Sequence, residues 1–545
     1  MANKNILLIE PSYKNKYPPL GLMKLAQYHG PNGKKDRVKF IKGEDDLSVF
    51  GTAWDRIYIT TLFSFEFARI RQSIDFALRV ANGHADKIFV GGIAASLMPE
   101  EFAKKKEWQG IRFIQGLLTG SPSKALQLDE YSEELYSDDH RGPAIEDLIP
   151  DYGILEQIEY KYPVRDAYFA YASRGCIRKC TFCGVPKLEG DQRDSESITT
   201  VVRNIEATYG PKKDLILMDN NVVASARFRE IIAEIRDLGF LPGAKLSVGR
   251  VPVQRRVDFN QGVDARILCK DPVYLRELST ICLKPLRIAF DHLGLKAPYE
   301  RAVRYAHEFG LMSMSNYMLY NFHDNPADLF ERMRLNVTLN EELKLRIWSF
   351  PMRYQPTWLP DRSHIGEKWT RYQLRSMQLI LQATHGVVSG EPSFFKRAFG
   401  DTFEEFSDLL LRPHHFIFNR VWFEEKGGRG EFGEYKREFD KLSNVERDEL
   451  LGLISNVEPR EMHSRVGFAT TRRVKLIMRH YLPLPKNRES EIWALMREMK
   501  RQDDPSIVVP DEERVEDAGL NYDEAPAPVT VRVVPARKKR AMAIA

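Results

Sequence analysis

Apolar and polar positions alternate in blocks from the start of the chain. Asn5 to Ile9 is an apolar run stopped by Glu10-Pro11-Ser12, the pattern of a buried parallel strand that ends in a loop. Arg56 to Thr60 reads as a second such strand. Phe67 to Val80 carries helical apolar spacing, and Lys87 to Val90 is a third strand running into Gly91-Gly92. That order is βαβ, so residues 1–127 are expected to form an open parallel α/β sheet. Glycines at a strand's carboxyl end let backbone approach a ligand closely, and open α/β sheets bind ligands at such ends; a plain tight turn explains Gly91-Gly92 equally well.

Residues 128–160 read as a linker, because Leu128 to Pro150 is acidic and turn-rich, with Asp138-Asp139, Gly142-Pro143 and Pro150. A longer alternation follows over 161–365. Its candidate strands are Ala167–Ser173, Asp214–Met218, Val257–Asn260, Leu286–Phe290, Met312–Tyr320 and Arg346–Phe350. Helical patterns separate them near Ile198–Tyr209, Ala226–Leu238, Pro272–Ile281, Pro298–Phe309 and Pro326–Leu343. This predicts a partial (β/α)6 barrel, in which reacting groups gather at the strands' carboxyl ends. From about Glu367 the pattern is helical, with Trp369, Tyr372, Met377 and Ile380 on one stretch, so 366–502 is expected to be a separate helical region. Residues 503–545 are proline-rich with a basic end, Arg537-Lys538-Lys539-Arg540, and are expected to be disordered.

Composition narrows the class. A chain of 545 residues that is 43% hydrophobic favours several domains, and a net charge of +5 is far from the concentrated basic footprint of a dedicated nucleic-acid binder. No apolar run of about eighteen residues exists and the N-terminal run is too short for a signal sequence, so a cytoplasmic protein without membrane contact is expected. Five cysteines, three of them inside eight residues, do not describe a disulfide scaffold and point to metal or redox chemistry.

Those three lie in Gly175-Cys176-Ile177-Arg178-Lys179-Cys180-Thr181-Phe182-Cys183-Gly184, directly after the first barrel strand. A structural zinc site takes four protein ligands and an enclosed cubane takes four cysteines, so three thiolates leave one metal position open. The alternative is a zinc or ordinary cluster completed by Cys269, Cys282 or a histidine; Cys269 and Cys282 look like ordinary buried thiols.

At these residues the sequence resembles the radical S-adenosylmethionine superfamily, whose signature is C-x-x-x-C-x-aromatic-C, with Phe182 at the aromatic position. The resemblance implies that Cys176, Cys180 and Cys183 hold a [4Fe–4S] cluster whose fourth iron chelates S-adenosylmethionine. One electron then cleaves it to a 5′-deoxyadenosyl radical. It implies a small electron donor of flavodoxin or ferredoxin type. Residues after later strands are then expected at the cofactor: Asp219 for the methionyl ammonium, although Asp219-Asn220-Asn221 departs from the usual glycine- and glutamate-containing turn and equally suits a helix cap. Asp264 and Arg266 follow the third strand, with Arg266 for the methionyl carboxylate, and Asp291 is the candidate for the ribose hydroxyls. His292 is a proton donor or a packed polar residue. Asn316, Tyr317 and Pro351-Met352-Arg353-Tyr354 complete the expected lining.

The N-terminal domain resembles the superfamily's class with a Rossmann-like, cobalamin-binding-type domain, through Tyr17-Pro18-Pro19-Leu20-Gly21-Leu22, Ile59-Thr60-Thr61 and Val90-Gly91-Gly92-Ile93-Ala94-Ala95 with Pro99-Glu100. The class implies cobalamin over the barrel mouth, with Gly91 and Gly92 at it, and methyl transfer or rearrangement on an unread substrate. No Asp-x-His-x-x-Gly element occurs and His29 does not fit as a cobalt ligand, so a vestigial domain in an enzyme modifying RNA or protein stays open. So does a non-enzymatic iron–sulfur electron carrier. Arg412, His414, His415, Arg420 and Trp422, with Arg537–Arg540, are the residues that would serve a nucleic-acid partner or form a solvated face and tail.

Overall fold

The computed structural model describes residues 3–118, 144–195, 197–247, 251–384, 386–457 and 461–503. Its N-terminal part is a five-stranded parallel sheet built from β1 (Asn5–Glu10), β2 (Arg37–Lys42), β3 (Arg56–Thr61), β4 (Ile88–Gly92) and β5 (Arg112–Ile114), in the order β2-β1-β3-β4-β5. Alternate residues feed opposite faces. Leu7, Ile9, Ile57, Ile59 and Val90 pack under the helix Phe67–Val80, while Ile6, Leu8, Tyr58 and Phe89 face the helix Leu20–His29 and share one continuous core with the barrel. The sheet is therefore buried on both sides, as parallel sheets are.

The second unit begins with β6 (Ala167–Ala170), followed by a short antiparallel ribbon of β7 (Ser173–Arg174) and β8 (Arg193–Asp194). β9 (Asp214–Leu217) pairs parallel with β6. A second ribbon, β10 (Lys245–Leu246) with β11 (Val253–Gln254), precedes β12 (Val257–Phe259), which pairs parallel with β9. β13 (Leu286–Arg287), β14 (Ser313–Tyr320) and β15 (Arg346–Arg353) form a second parallel sheet, edged by the antiparallel β16 (Val388–Ser389). The two sheets are joined by the parallel bridges Val257 to Leu283 and Val263 to Ile288 and by the Arg287–Asp258 ion pair. The strand order β6-β9-β12-β13-β14-β15 is sequential, and helices Ile198–Tyr209, Phe228–Asp237, Lys296–Glu308 and Pro326–Leu343 cover its outer face, which makes the expected open barrel.

Two differences from the sequence reading have physical causes. Ile145 is 1% exposed and the turn Ile145–Asp147 packs on the helix Leu20–His29, so the described end of the supposed linker is core; leucine and isoleucine beside the acids override its turn-rich composition. The helical region is also not wholly separate. Helices Pro392–Phe399 and Phe403–Leu411 bury Phe395, Phe399 and Phe406 in the barrel's core against Phe330, whereas helices from His414 onward build a core of their own. Residues 128–143 of the supposed linker and the tail from 504 lie outside the described residues.

Candidate functional site

The cysteine loop is closed at its base by the ribbon, where Ser173 opposes Asp194, Arg174 opposes Arg193 and the Cys176 N–H reaches the Gly190 carbonyl at 3.4 Å. Gly175 sits at φ +73°, and a Cβ there would lie 2.2 Å from the Asp191 carbonyl oxygen, so only glycine makes this entry. Asp219, at the carboxyl end of β9, accepts the Ala172 N–H at 3.0 Å and the Ser173 N–H and hydroxyl at 2.5 and 2.7 Å. Burial pushes its carboxyl up to about 6 against those hydrogen bonds. Its oxygens are thus engaged in holding the loop's root, which is where the structure puts a residue expected at the methionyl ammonium.

All three cysteines are half-buried free thiols. The Cys176 and Cys183 sulfurs accept the N–H groups of Arg178 and Val185, each at 3.4 Å, and the Cys183 N–H closes a turn on the Cys180 carbonyl. Burial raises Cys180, and Asp291 adds to it; burial pushes Cys183 up to about 11, with Cys180 and Cys176 contributing. A metal must displace these protons to bind. Among the described residues no three His, Cys, Asp or Glu side chains converge as a lone ion needs, whereas a cubane takes each thiolate on a different iron. Cys282 pairs through its carbonyl with Val257 N–H at the opposite, amino-terminal end of the barrel, and Cys269 turns its thiol to the Arg266 carbonyl. Neither supplies a fourth ligand.

The loop's lumen side is charged. Asp264 caps the short helix Ala265–Leu268 and receives the Nε atoms of Arg266 and Arg178 at 2.8 and 2.7 Å. Burial raises its carboxyl, yet the two guanidiniums outweigh burial and hold it below the usual range. Asp291, after β13, is pushed up to about 6 by burial despite Arg332 and Arg266, and its charge is felt at Cys180 and Cys183. His292 is exposed. Phe182 lies edge-on to Phe322, 5.7 Å away. Tyr317 points into the lumen, donating to the Asn260 carbonyl at 3.1 Å, and Tyr17 of the N-terminal domain donates to the Asn260 side chain at 2.6 Å. Asn316 does not line the mouth: strand alternation turns it outward, where it donates to Tyr299. Sequence reasoning missed Arg332, which is fully buried and donates to the Phe290, Asp291 and Leu319 carbonyls, tying two strand ends together. A lone arginine between Phe330 and Met333 on an apolar helix face was its signal.

On the other side of the loop, a cleft opens at the carboxyl ends of the N-terminal strands. It encloses about 220 Å³, or about 1020 Å³ with the part open to solvent. Leu20, Leu25, Tyr58, Phe89 and Ile114 give it apolar walls, and Gly21, Gly91 and Gly92 line it. Gly92 is at φ +110° with Thr61 backbone 2.8 Å from any Cβ, so its turn demands glycine; a Cβ at Gly21 would meet nothing within 4 Å. The tight turn read at Gly91-Gly92 is therefore present at Gly92, and both glycines face the cleft. Among the described residues no histidine lines the cleft. His29 is buried behind it, bonded to Asp36 at 2.8 Å and to Tyr58 at 3.0 Å.

No family model matches the chain, and no curated protein does. Among solved structures, the radical S-adenosylmethionine methyltransferase TsrM from Kitasatospora setae, with cobalamin and a [4Fe–4S] cluster bound, aligns over 66% of this chain and 77% of its own. Identity is 15% and the TM-score 0.44. The same enzyme with tryptophan and a SAM analogue aligns over 69% and 76%, at 14% identity and a TM-score of 0.43. The cobalamin-dependent radical enzyme OxsB aligns over 94% of this chain and 82% of its own, at 11% and 0.42. At these scores the likeness decides nothing about chemistry here.

The residues considered for a nucleic-acid partner are spent internally. His414 stacks on Tyr372 with ring centroids 4.1 Å apart, and burial drives His414 and His415 down to about 3. Arg412 and Arg420 share Glu424. Arg537–Arg540 lie outside the described residues. Among the described residues no helix is long and apolar enough to cross a membrane.

Proposed function

We propose that the chain is a radical S-adenosylmethionine enzyme with Cys176, Cys180 and Cys183 as the ligands of a [4Fe–4S] cluster, and with the adjoining cleft as the seat of cobalamin. The observation that carries this is three free thiols on one loop at the carboxyl mouth of a parallel barrel, with no fourth protein ligand among the described residues. When bound, the cluster supplies the electron that cleaves S-adenosylmethionine to a 5′-deoxyadenosyl radical, and the hard chemistry belongs to the cofactor.

The chain's own residues hold and orient. Asp219 fixes the loop's root and Arg332 fixes the strand ends beside Asp291. Arg266 keeps donors beyond the Nε atom bound to Asp264, which suits it to a carboxylate, as the methionyl group of S-adenosylmethionine presents. Asp291 suits hydroxyl donors, as a ribose presents. Phe182 and Phe322 wall the loop against water. For the cleft, apolar walls, a missing side chain at Gly21 and a mouth open to solvent fit a flat macrocycle. Among the described residues no imidazole lines the cleft that could ligate cobalt. A small flavin or iron–sulfur protein is the proposed reductant, and methyl transfer or rearrangement the proposed outcome.

Anaerobic iron and sulfide analysis joined to a 5′-deoxyadenosine assay tests the reading. About four irons per chain and 5′-deoxyadenosine are expected from the wild type, and neither from Cys180→Ala. A variant that keeps the cluster and the cleavage sinks the proposal.

A further inference from the structure

Four charged side chains alternate in sign along one wall of the cleft: Lys24, Glu146, Arg174 and Glu189. Lys24 Nζ donates to Glu146 at 3.0 Å, Glu146 receives Arg174, and Arg174 reaches Glu189 at 3.2 Å. Their side chains are only 10%, 14%, 10% and 9% exposed. The guanidinium of Arg174 also lies over the Tyr171 ring, 3.4 Å from its centroid. Glu189 then accepts the Gly175 N–H at 2.8 Å and the Asn220 amide at 3.0 Å. The run thus starts on the helix Leu20–His29 of the N-terminal domain and ends on the peptide preceding Cys176. Burying four charges merely to glue two domains is poor value, since apolar packing of similar volume often does as well or better. What such a run can do that apolar packing cannot is transmit a displacement, because Glu146 and Arg174 are each held between two oppositely charged neighbours.

We propose that the Lys24–Glu146–Arg174–Glu189 run couples the cleft to the cysteine loop, so that a ligand filling the cleft and a cluster held by Cys176 each favour the other. This rests on the cluster-and-cobalamin reading above. The members are positioning residues; none touches the reacting atoms. Coupling between sites is reciprocal, so it is measurable from the cleft's side alone.

The test uses the full chain before and after anaerobic reconstitution, with hydroxocobalamin as the probe and equilibrium dialysis as the readout. In the wild type, reconstitution is expected to tighten the Kd about fivefold or more, the lower end of ordinary coupling. In Lys24→Met and Glu146→Gln that ratio falls to about one, whatever the absolute Kd, and Lys24→Arg restores it. A purely structural role would weaken both Kd values together and leave the ratio. Lys24→Gln is the second variant should Lys24→Met fail to fold. A wild-type ratio of one, or an unchanged ratio in the folded variants, overturns the coupling while the iron assay still upholds the cluster; a wild type that takes up no iron overturns both.

Discussion

The two sides of the cysteine loop are both charged, and they use charge in opposite ways. Toward the barrel lumen, Arg178 and Arg266 are about a third exposed and share one carboxylate, Asp264, while Asp291 has been raised by burial rather than settled by a partner. Toward the N-terminal sheet, all four charges of the run are largely buried, and the inner two, Glu146 and Arg174, are each paired on both sides. The lumen side is therefore less completely paired than the cleft side. Incomplete pairing marks where chemistry is to be supplied, and complete pairing marks where geometry is to be kept.

The largest effect that would break this contrast is Arg174→Met. It leaves Glu146 and Glu189 buried with one partner fewer, and loss of about 3–5 kcal/mol of unfolding free energy is expected in urea titrations. A loss under about 1 kcal/mol would show that the cleft side is no more firmly paired than the lumen. Arg266→Ala should behave in the opposite manner. Stability changes little, because Arg178 still serves Asp264, while affinity for S-adenosylmethionine falls by about ten- to hundredfold, the worth of a charge-assisted hydrogen bond or two. Isothermal titration on the reconstituted chain measures it, and an unchanged Kd would remove Arg266 from the cofactor site.

Much of this was legible in the sequence, for reasons tied to particular stretches. Phe67–Val80 and Ile198–Tyr209 form where apolar spacing alone places them, and the strands after Ala167 follow their apolar runs closely. The edge strand Arg37–Lys42 was missed because Arg37, Lys39 and Lys42 interrupt its apolar pattern, and Arg112–Ile114 because three residues carry no period. The cysteines were legible because their spacing is local. Asn316 was misplaced because facing depends on strand parity that a run of Ser, Met, Asn and Tyr does not reveal. The cleft was legible in part: Leu20-Gly21-Leu22, Ile59-Thr60 and Gly91-Gly92-Ile93 are local stretches read at a ligand-binding strand end, and all line it. Tyr58, Phe89, Ile114, Glu146 and Glu189 complete its walls from places that no period connects.

The glycine wall gives a gentler test. Gly21→Phe puts a ring where a Cβ meets open space, so the cluster should form normally while hydroxocobalamin binds about tenfold more weakly by equilibrium dialysis. Equal binding would move the corrinoid away from this wall.

The last effect concerns Lys24. Burial, and then Arg174, bring it down to about 7, against Asp147; Glu146 and the Tyr171 ring are its other neighbours. In the unfolded chain a lysine keeps its proton to about 10.4. Between about pH 7 and that value the unfolded state therefore holds a proton that the folded state has lost, and unfolding free energy rises with pH by at most about 1.4 kcal/mol per unit. Below about 7 both states are protonated and the contribution is flat. The same deprotonation strips Glu146 of one of its two cations, so the chain should become slightly harder to unfold while its two sites become less coupled. Lys24→Met should lose that component of the slope, measured as the difference in urea midpoints between about pH 7 and 9, and a slope equal to the wild type's would show that Lys24 stays charged in the fold throughout.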